Sequence, residues 1–417
     1  MTLRRVVVTG LGVAAPNGTG VDRFWDALIH GRSGVGPITA FDACGLRSRI
    51  AGEISDFDAE TRLSARTAKR AARVTQLGVA VALEAFERAG LSGNGSAELA
   101  RERAAVVMGA GIGAFDMIER EHAVFLERGP DKFHPLTVPM VIPDAPAGLI
   151  AIEAGCRGPN LCVSSACATG NNALGTALDL IRAGRADVAL AGATESTISP
   201  FAIAGYCQLR ALSTRNDDPA GASRPFSRDR DGFVIAEGAG ALVLEELEHA
   251  KRRGAPILAE LVGYGATADG YHMTAPEPNS RGSIAAMRAA LEDAKMAPSD
   301  VDVVNAHGTS TPMNDPAETA AIKAVFGEHA RTLAVQSTKS MTGHALGGAA
   351  ALESVACVLE LERGVIHPTI NLTDPDPACD LDYVPLTARA MRPRAIMKNA
   401  FGFGGHNAVV IFKRWEG

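Results

Sequence analysis

The chain has 417 residues, 47% of them hydrophobic and 21% charged, a globular composition long enough for two core-bearing units. A net charge of −6 without aromatic–basic interleaving argues against nucleic acid, and no apolar run approaches a membrane span. Seven cysteines at irregular spacing, with no Cys-x-x-Cys pair, exclude a disulfide frame or zinc site, and the N-terminus lacks signal-peptide blocks, so reduced thiols and a cytoplasmic setting are expected.

The first expected strand is Val6-Val7-Val8-Thr9-Gly10. In chain order there follow a helix over 75–89, a strand over 104–108, a helix over 172–183 and strands over 186–191 and 239–245. The second half reads as a helix over 283–294, a strand over 302–305, a helix over 317–325, a strand over 332–335, a helix over 347–361 and a strand over 407–412. Short apolar runs alternating with amphipathic ones define an α/β chain with a mixed or parallel sheet. Two turn–helix segments echo each other, one running from Gly170 to Leu178 and the other from Gly343 to Leu352, and both are rich in Gly and Ala. If they are equivalent, the chain divides into halves at 1–260 and 261–417.

Cys167 lies in Val163-Ser164-Ser165-Ala166-Cys167-Ala168-Thr169-Gly170, between an apolar run and a helix. A thiol at a helix N-terminus is expected to favour the thiolate, through the helix dipole and free N–H groups. His307 follows an apolar strand in Asn305-Ala306-His307-Gly308-Thr309-Ser310-Thr311-Pro312, where Thr309 and Thr311 could bond an amide-bearing substrate arm. His344 ends Ser337-Thr338-Lys339-Ser340-Met341-Thr342-Gly343-His344. A buried Lys339 would hold a neighbouring histidine neutral, and Glu353, on the following helix, could pair with it. Phe401-Gly402-Phe403-Gly404-Gly405-His406-Asn407 is a glycine-rich turn that can offer N–H groups to an oxyanion.

Together these segments resemble the β-ketoacyl-acyl-carrier-protein synthases of the two-histidine, elongating type, over essentially the whole chain. Further matching stretches are Arg210-Ala211-Leu212-Ser213, Arg230-Asp231-Gly232-Phe233 and Tyr271-His272-Met273-Thr274. The resemblance implies a thiolase fold: duplicated α/β halves in a five-layered α-β-α-β-α arrangement. Cys167 and dimer-interface insertions would belong to the first half, and His307, Lys339, His344 and the gating loop to the second. It implies Cys167 as nucleophile, His307 and His344 as donors to an enolate, and the N–H groups of Cys167 and Phe403 as oxyanion hole. Glu353, Phe401, Thr309, Thr311 and Thr274 would support. Phe403 would gate an acyl pocket passing Ile112, Phe115, Ile203 and Tyr206. A structural monovalent cation near Asn305, Glu353 and Asn399 is implied, and no redox cofactor, the substrates riding on carrier-protein phosphopantetheine. An acidic acyl carrier protein would dock on Arg66, Lys69, Arg70 and Arg73, and two like subunits would pair as a homodimer or a heterodimer.

The chain departs from the family pattern at three places: His406 stands where threonine is common, Leu136-Thr137-Val138-Pro139 lacks an aromatic, and Ile142-Pro143-Asp144-Ala145-Pro146 is rich in proline. These leave chain length and pathway open. The principal alternative is a dedicated ketosynthase of a type II polyketide or other secondary pathway, paired with a chain-length-factor-like subunit. A non-catalytic subunit of that kind is disfavoured by Cys167, and an acyltransferase without decarboxylation by the two histidines.

Overall fold

Along its main path the central sheet takes five strands from the first part of the chain and five from the second, with a two-residue strand, Gly18–Thr19, paired off that path, in a computed structural model that describes residues 3–92 and 99–417. The first set is β1 (Val6–Ala15), β2 (Ala104–Gly109), β3 (Val188–Glu195), β4 (Gly238–Glu246) and a two-residue edge strand, Asn160–Leu161. The second set is β5 (Ala259–Ala268), β6 (Val303–Asn305), β7 (Ala334–Gln336), β8 (Ala395–Gly402) and β9 (His406–Arg414). From edge to edge the order is Asn160–Leu161, β2, β3, β4, β1, then β5, β9, β8, β6, β7.

The two sets have one topology. In each, the opening strand pairs antiparallel with the last, the last antiparallel with the one before it, and two parallel neighbours complete the set. The sets touch where β1 and β5 pair at two positions, Val7 with Glu260 and Val8 with Ala259.

Helices α1 (Arg73–Arg88), α2 (Thr169–Arg182), α3 (Arg281–Ala294), α4 (Asn314–Phe326) and α5 (Leu346–Arg363) close the layers. α1 lays Val74, Leu77, Val81 and Ala85, spaced three and four apart, on the outer face of the first set. α3 covers the second set, with α4 beside it. Between the sets lie α2 and α5, packed on each other. α5 is buried without a break from Leu346 to Leu361, so its sequence carries no polar stripe, and its small residues let neighbours approach closely. The result is α-β-α-β-α. Helices on both faces explain why β3 and β4 are buried at every position and read as continuous apolar runs. Among the described residues no helix is long and apolar enough to cross a membrane.

Candidate active site

Cys167 sits in a single 3-10 turn, Ala166–Ala168, that feeds α2. Ala166 has φ +49°, a left-handed conformation that costs an alanine about 1–2 kcal/mol. The turn is braced from both sides. Thr169 Oγ1 donates to Ala166 O at 2.7 Å and accepts from Ser165 N at 2.9 Å. Asn172 Nδ2 donates to Ser165 Oγ at 2.6 Å, and Tyr264 OH donates to Asn172 Oδ1 at 2.6 Å. The glycine-rich loop lies directly on this turn: a Cβ on Gly402 would stand 2.9 Å from Ser165 O and 3.0 Å from Cys167 N. Only glycine allows that approach, which brings the N–H of Phe403 alongside that of Cys167 as donors to the sulfur.

The expected low thiol pKa is not what this site produces. Burial pushes the Cys167 thiol up to about 11, against the opposing pull of Lys339 and the two N–H groups. The helix start is present, but water is excluded, and desolvation of the anion outweighs the dipole.

His344 Nε2 lies 3.1 Å from Cys167 Sγ. The His307 ring stands nearly perpendicular to that of His344, with centroids 5.4 Å apart. Phe233 packs edge-on to His344 and Phe401 to His307, at centroid distances of 5.3 and 5.9 Å. Both histidines are buried, and both are held well below the ordinary imidazole pKa, first by burial and then by the charge of Lys339. They are therefore neutral at physiological pH, as the sequence led us to expect. Among the described residues no carboxylate or carbonyl meets their buried Nδ1 atoms to draw the ring proton away from Nε2. His307 is placed from behind: its N–H and that of Gly308 each donate at 2.8 Å to Glu318 on α4. The ligand atoms of Cys167, His307 and His344 lie within 4.8 Å of one another, but the adjacent lysine charges oppose a divalent cation there.

Lys339 Nζ donates to Glu353 Oε1 at 2.6 Å, and Lys398 Nζ lies 2.7 Å from Glu353 Oε2. All three are buried, and burial lowers the Lys339 pKa while Glu353 holds it up. Asn305 and Asn399 each keep a buried amide oxygen without a donor. Unpartnered amide oxygens are hard donors that suit a monovalent cation better than a transition metal.

The cavity over Cys167 measures about 490 Å³ and is bordered by Ile112, Tyr206, Phe401, Phe403 and the hydroxyl residues Thr274, Thr309 and Thr311. Two residues assigned to it from sequence lie elsewhere. Ile203 is fully buried in the adjoining core with Leu212 and Phe233, and Phe115 packs on Phe201 at 5.5 Å. The basic face is also interrupted. Arg66, Lys69 and Arg70 are exposed on a short helix, Ala65–Arg70, which stops at Ala71 and Ala72. Arg73 starts α1 and turns inward to pair with Glu237 and to donate to Ile54 O at 2.7 Å.

Sequence reasoning missed Glu318, Lys398 and Glu195. Lys398 had a signal, a charge inside the apolar run Ala395-Ile396-Met397. Glu195 ends an all-buried strand, and burial pushes its carboxyl up to about 7.

Residues 3–250 match the family described as "Beta-ketoacyl synthase, N-terminal domain", and residues 258–373 match "Beta-ketoacyl synthase, C-terminal domain". The chain belongs to the β-ketoacyl synthase family. Similar proteins include the 3-oxoacyl-[acyl-carrier-protein] synthase 2 of Synechocystis sp., 48% identical over 413 residues and 99% of each chain. That of Coxiella burnetii is 46% identical over 414 residues, again 99% of each. Among solved structures, a ketosynthase in complex with its type II polyketide acyl-carrier protein aligns with TM-score 0.92 at 38% identity, covering 100% of both chains. The ishigamide ketosynthase/chain length factor aligns with TM-score 0.93 at 37% identity, also covering 100% of both. The fold is thus the thiolase fold. The synthase is a condensing transferase, a β-ketoacyl-ACP synthase of fatty-acid elongation.

Proposed function

We propose that this synthase is of the two-histidine type and works as follows. Cys167 Sγ attacks an acyl thioester on carrier-protein phosphopantetheine. The carbon–sulfur bond to the pantetheine breaks, and the Cys167 proton passes to the departing sulfur, while His344 Nε2–H faces the cysteine sulfur at 3.1 Å. Phe403 and Cys167 N–H groups bind the tetrahedral oxyanion. A malonyl thioester then takes the vacated arm site. Its carboxylate leaves as carbon dioxide, and the bonding pair moves into an enolate whose oxygen accepts from Nε2–H of His307 and His344. The enolate carbon attacks the acyl carbonyl on Cys167, a carbon–carbon bond forms, and the thiolate departs and is reprotonated. The observation that carries this reading is the pair of neutral histidines around Sγ, one of them at 3.1 Å.

Lys339 keeps the histidines neutral and Glu353 holds Lys339. Thr274, Thr309 and Thr311 bond the pantetheine amides. Phe403 is the gate, with Phe401 behind it, and Ile112 and Tyr206 face the acyl chain. Asn305, Glu353 and Asn399 hold a structural monovalent cation. An acidic carrier protein docks on Arg66, Lys69 and Arg70. We read the chain as two units meeting near residue 260, and as a homodimer. The full-length match to 3-oxoacyl-ACP synthases at 46–48% identity favours fatty-acid elongation over a dedicated secondary pathway.

The test is Cys167→Gln, which removes the nucleophile and leaves both histidines. The variant should decarboxylate malonyl-carrier protein and make no condensation product. Adding His307→Ala or His344→Ala should slow decarboxylation by about 10²–10³. A folded Cys167→Gln protein without decarboxylation contradicts the roles of the histidines.

A further inference from the structure

Glu195, the last residue of β3, is fully buried, and among the described residues no cation pairs with it. Its partners are main-chain amides from two separate segments. Gly111 N and Ile112 N donate to Oε2 at 2.9 and 3.0 Å, and Gly113 N donates to Oε1 at 3.0 Å. Gly347 N, in the first turn of α5, donates to Oε2 at 3.2 Å. Three successive N–H groups of a turn and one from a helix start form a nest of the kind that binds anions, and the acceptor here is the chain's own carboxyl group.

The two segments that it joins are walls of the catalytic cavity. Gly111, Ile112 and Gly347 border it together with Cys167, and Ile112 keeps 36% of its surface open. Backbone meets backbone there: a Cβ on Gly347 would lie 2.3 Å from Gly111 N. With no side chains between them to interlock, the carboxylate supplies the polar tie. Gly347 also lies three residues beyond His344, so the same tie reaches the catalytic loop.

We propose that Glu195 is a positioning residue that sets acyl selectivity: it locks the Ile112 turn against the start of α5, so that the acyl chain is read against a wall that cannot yield. This rests on the reading of Ile112 as part of the acyl site. Glu195→Gln keeps the size but replaces one acceptor oxygen with an NH2 that opposes a main-chain donor. Glu195→Asp keeps both acceptors on a stem too short to reach both segments.

The experiment measures single-turnover acyl transfer to Cys167 from a series of short- to long-chain acyl-carrier proteins, by intact-protein mass spectrometry. It compares wild type, Glu195→Gln, Glu195→Asp and Ile112→Phe, each checked for folding by thermal denaturation. Expected is a change of about tenfold in the ratio of long- to short-chain transfer in both Glu195 variants. A loss equal at every chain length, or an unchanged profile, overturns the proposal. If the Gln variant does not fold, the profile of the Asp variant decides by the same criteria. Ile112→Phe tests the acyl wall independently of Glu195. An unchanged profile there overturns the acyl-wall reading itself. A changed profile there with unchanged Glu195 variants leaves that reading standing and removes Glu195 from it.

Discussion

At Cys167, Lys339 and two main-chain N–H groups favour the thiolate, yet burial leaves the thiol at about 11. The resting sulfur is therefore protonated, and in the proposed mechanism its anion is generated against the substrate. Alkylation of the free enzyme by iodoacetamide should accelerate with rising pH and show no plateau below about pH 10. Exposed Cys44 should label first near about pH 7, while loss of activity follows Cys167 alone, as peptide mapping would show. A plateau below about pH 8 would argue for a thiolate at rest. The histidines give the complementary prediction. Their pKa values are depressed, so the neutral form persists as pH falls below the ordinary value. Decarboxylation by Cys167→Gln should stay level from about pH 8 to below about 6. Lys339→Met removes a positive charge, raises both imidazole pKa values, and should move the acid limb of that profile upward. The residues themselves were legible because each stands in an unusual local string. What the sequence did not convey is solvent exclusion, a product of α5, β8 and the Gly402 loop converging from far along the chain, and so the thiol was read with the wrong sign.

Among the elements, the loop Gly402–Phe403 and the helix Ala65–Arg70 carry the sharpest consequences. Gly402→Ala must push Phe403 away from the Cys167 turn, since a Cβ there meets Cys167 N at 3.0 Å. Acyl-enzyme formation, measured as a burst, should fall by about 10²–10³, the usual effect of losing one oxyanion donor. On the short helix, Lys69→Glu with Arg70→Glu should weaken use of acyl-carrier protein and leave small thioester mimics unaffected. Equal loss with both donors would indicate a folding defect. Periodicity located these elements unevenly. α1 to α5 each fall within a few residues of their expected positions, because the apolar residues are spaced three and four apart or fill the helix. β5 was missed because Gly263 and Gly265 dilute its alternation, and β8 because buried Lys398 and Asn399 interrupt its apolar run. The break at Ala71–Ala72 has no sequence punctuation, neither Gly nor Pro, so four basic residues looked like one face.

Over the whole molecule, exposed apolar side chains gather on adjoining elements: Leu126, Val138, Ile152 and Phe201 each keep 65% or more of their surface open. The edge strand Asn160–Leu161 lies beside them with one side unpaired. A patch of this kind marks an interface, and a second copy of the chain is its proposed occupant. Ile152→Glu should shift the protein from dimer towards monomer in sedimentation velocity, and a dimer that persists unchanged would place the interface elsewhere. One of the three departures from the family pattern contributes Val138 to this patch, and another holds the exposed Ile142 and Pro143. The duplication was legible only as an echo between two Gly/Ala-rich helices, because strand order is a long-range property that no local string encodes. That duplication has one more consequence. Cys167 precedes α2 and His344 precedes α5, so the same topological position in each repeat opens on one cavity. The start of α2 contributes roughly half a positive charge from its amides, while at the start of α5 Gly347 N is already taken by the Glu195 carboxyl. This field belongs to the peptide units. A cleft stripped of its histidines and lysine would keep that part of the field at the start of α2, where Cys167 sits.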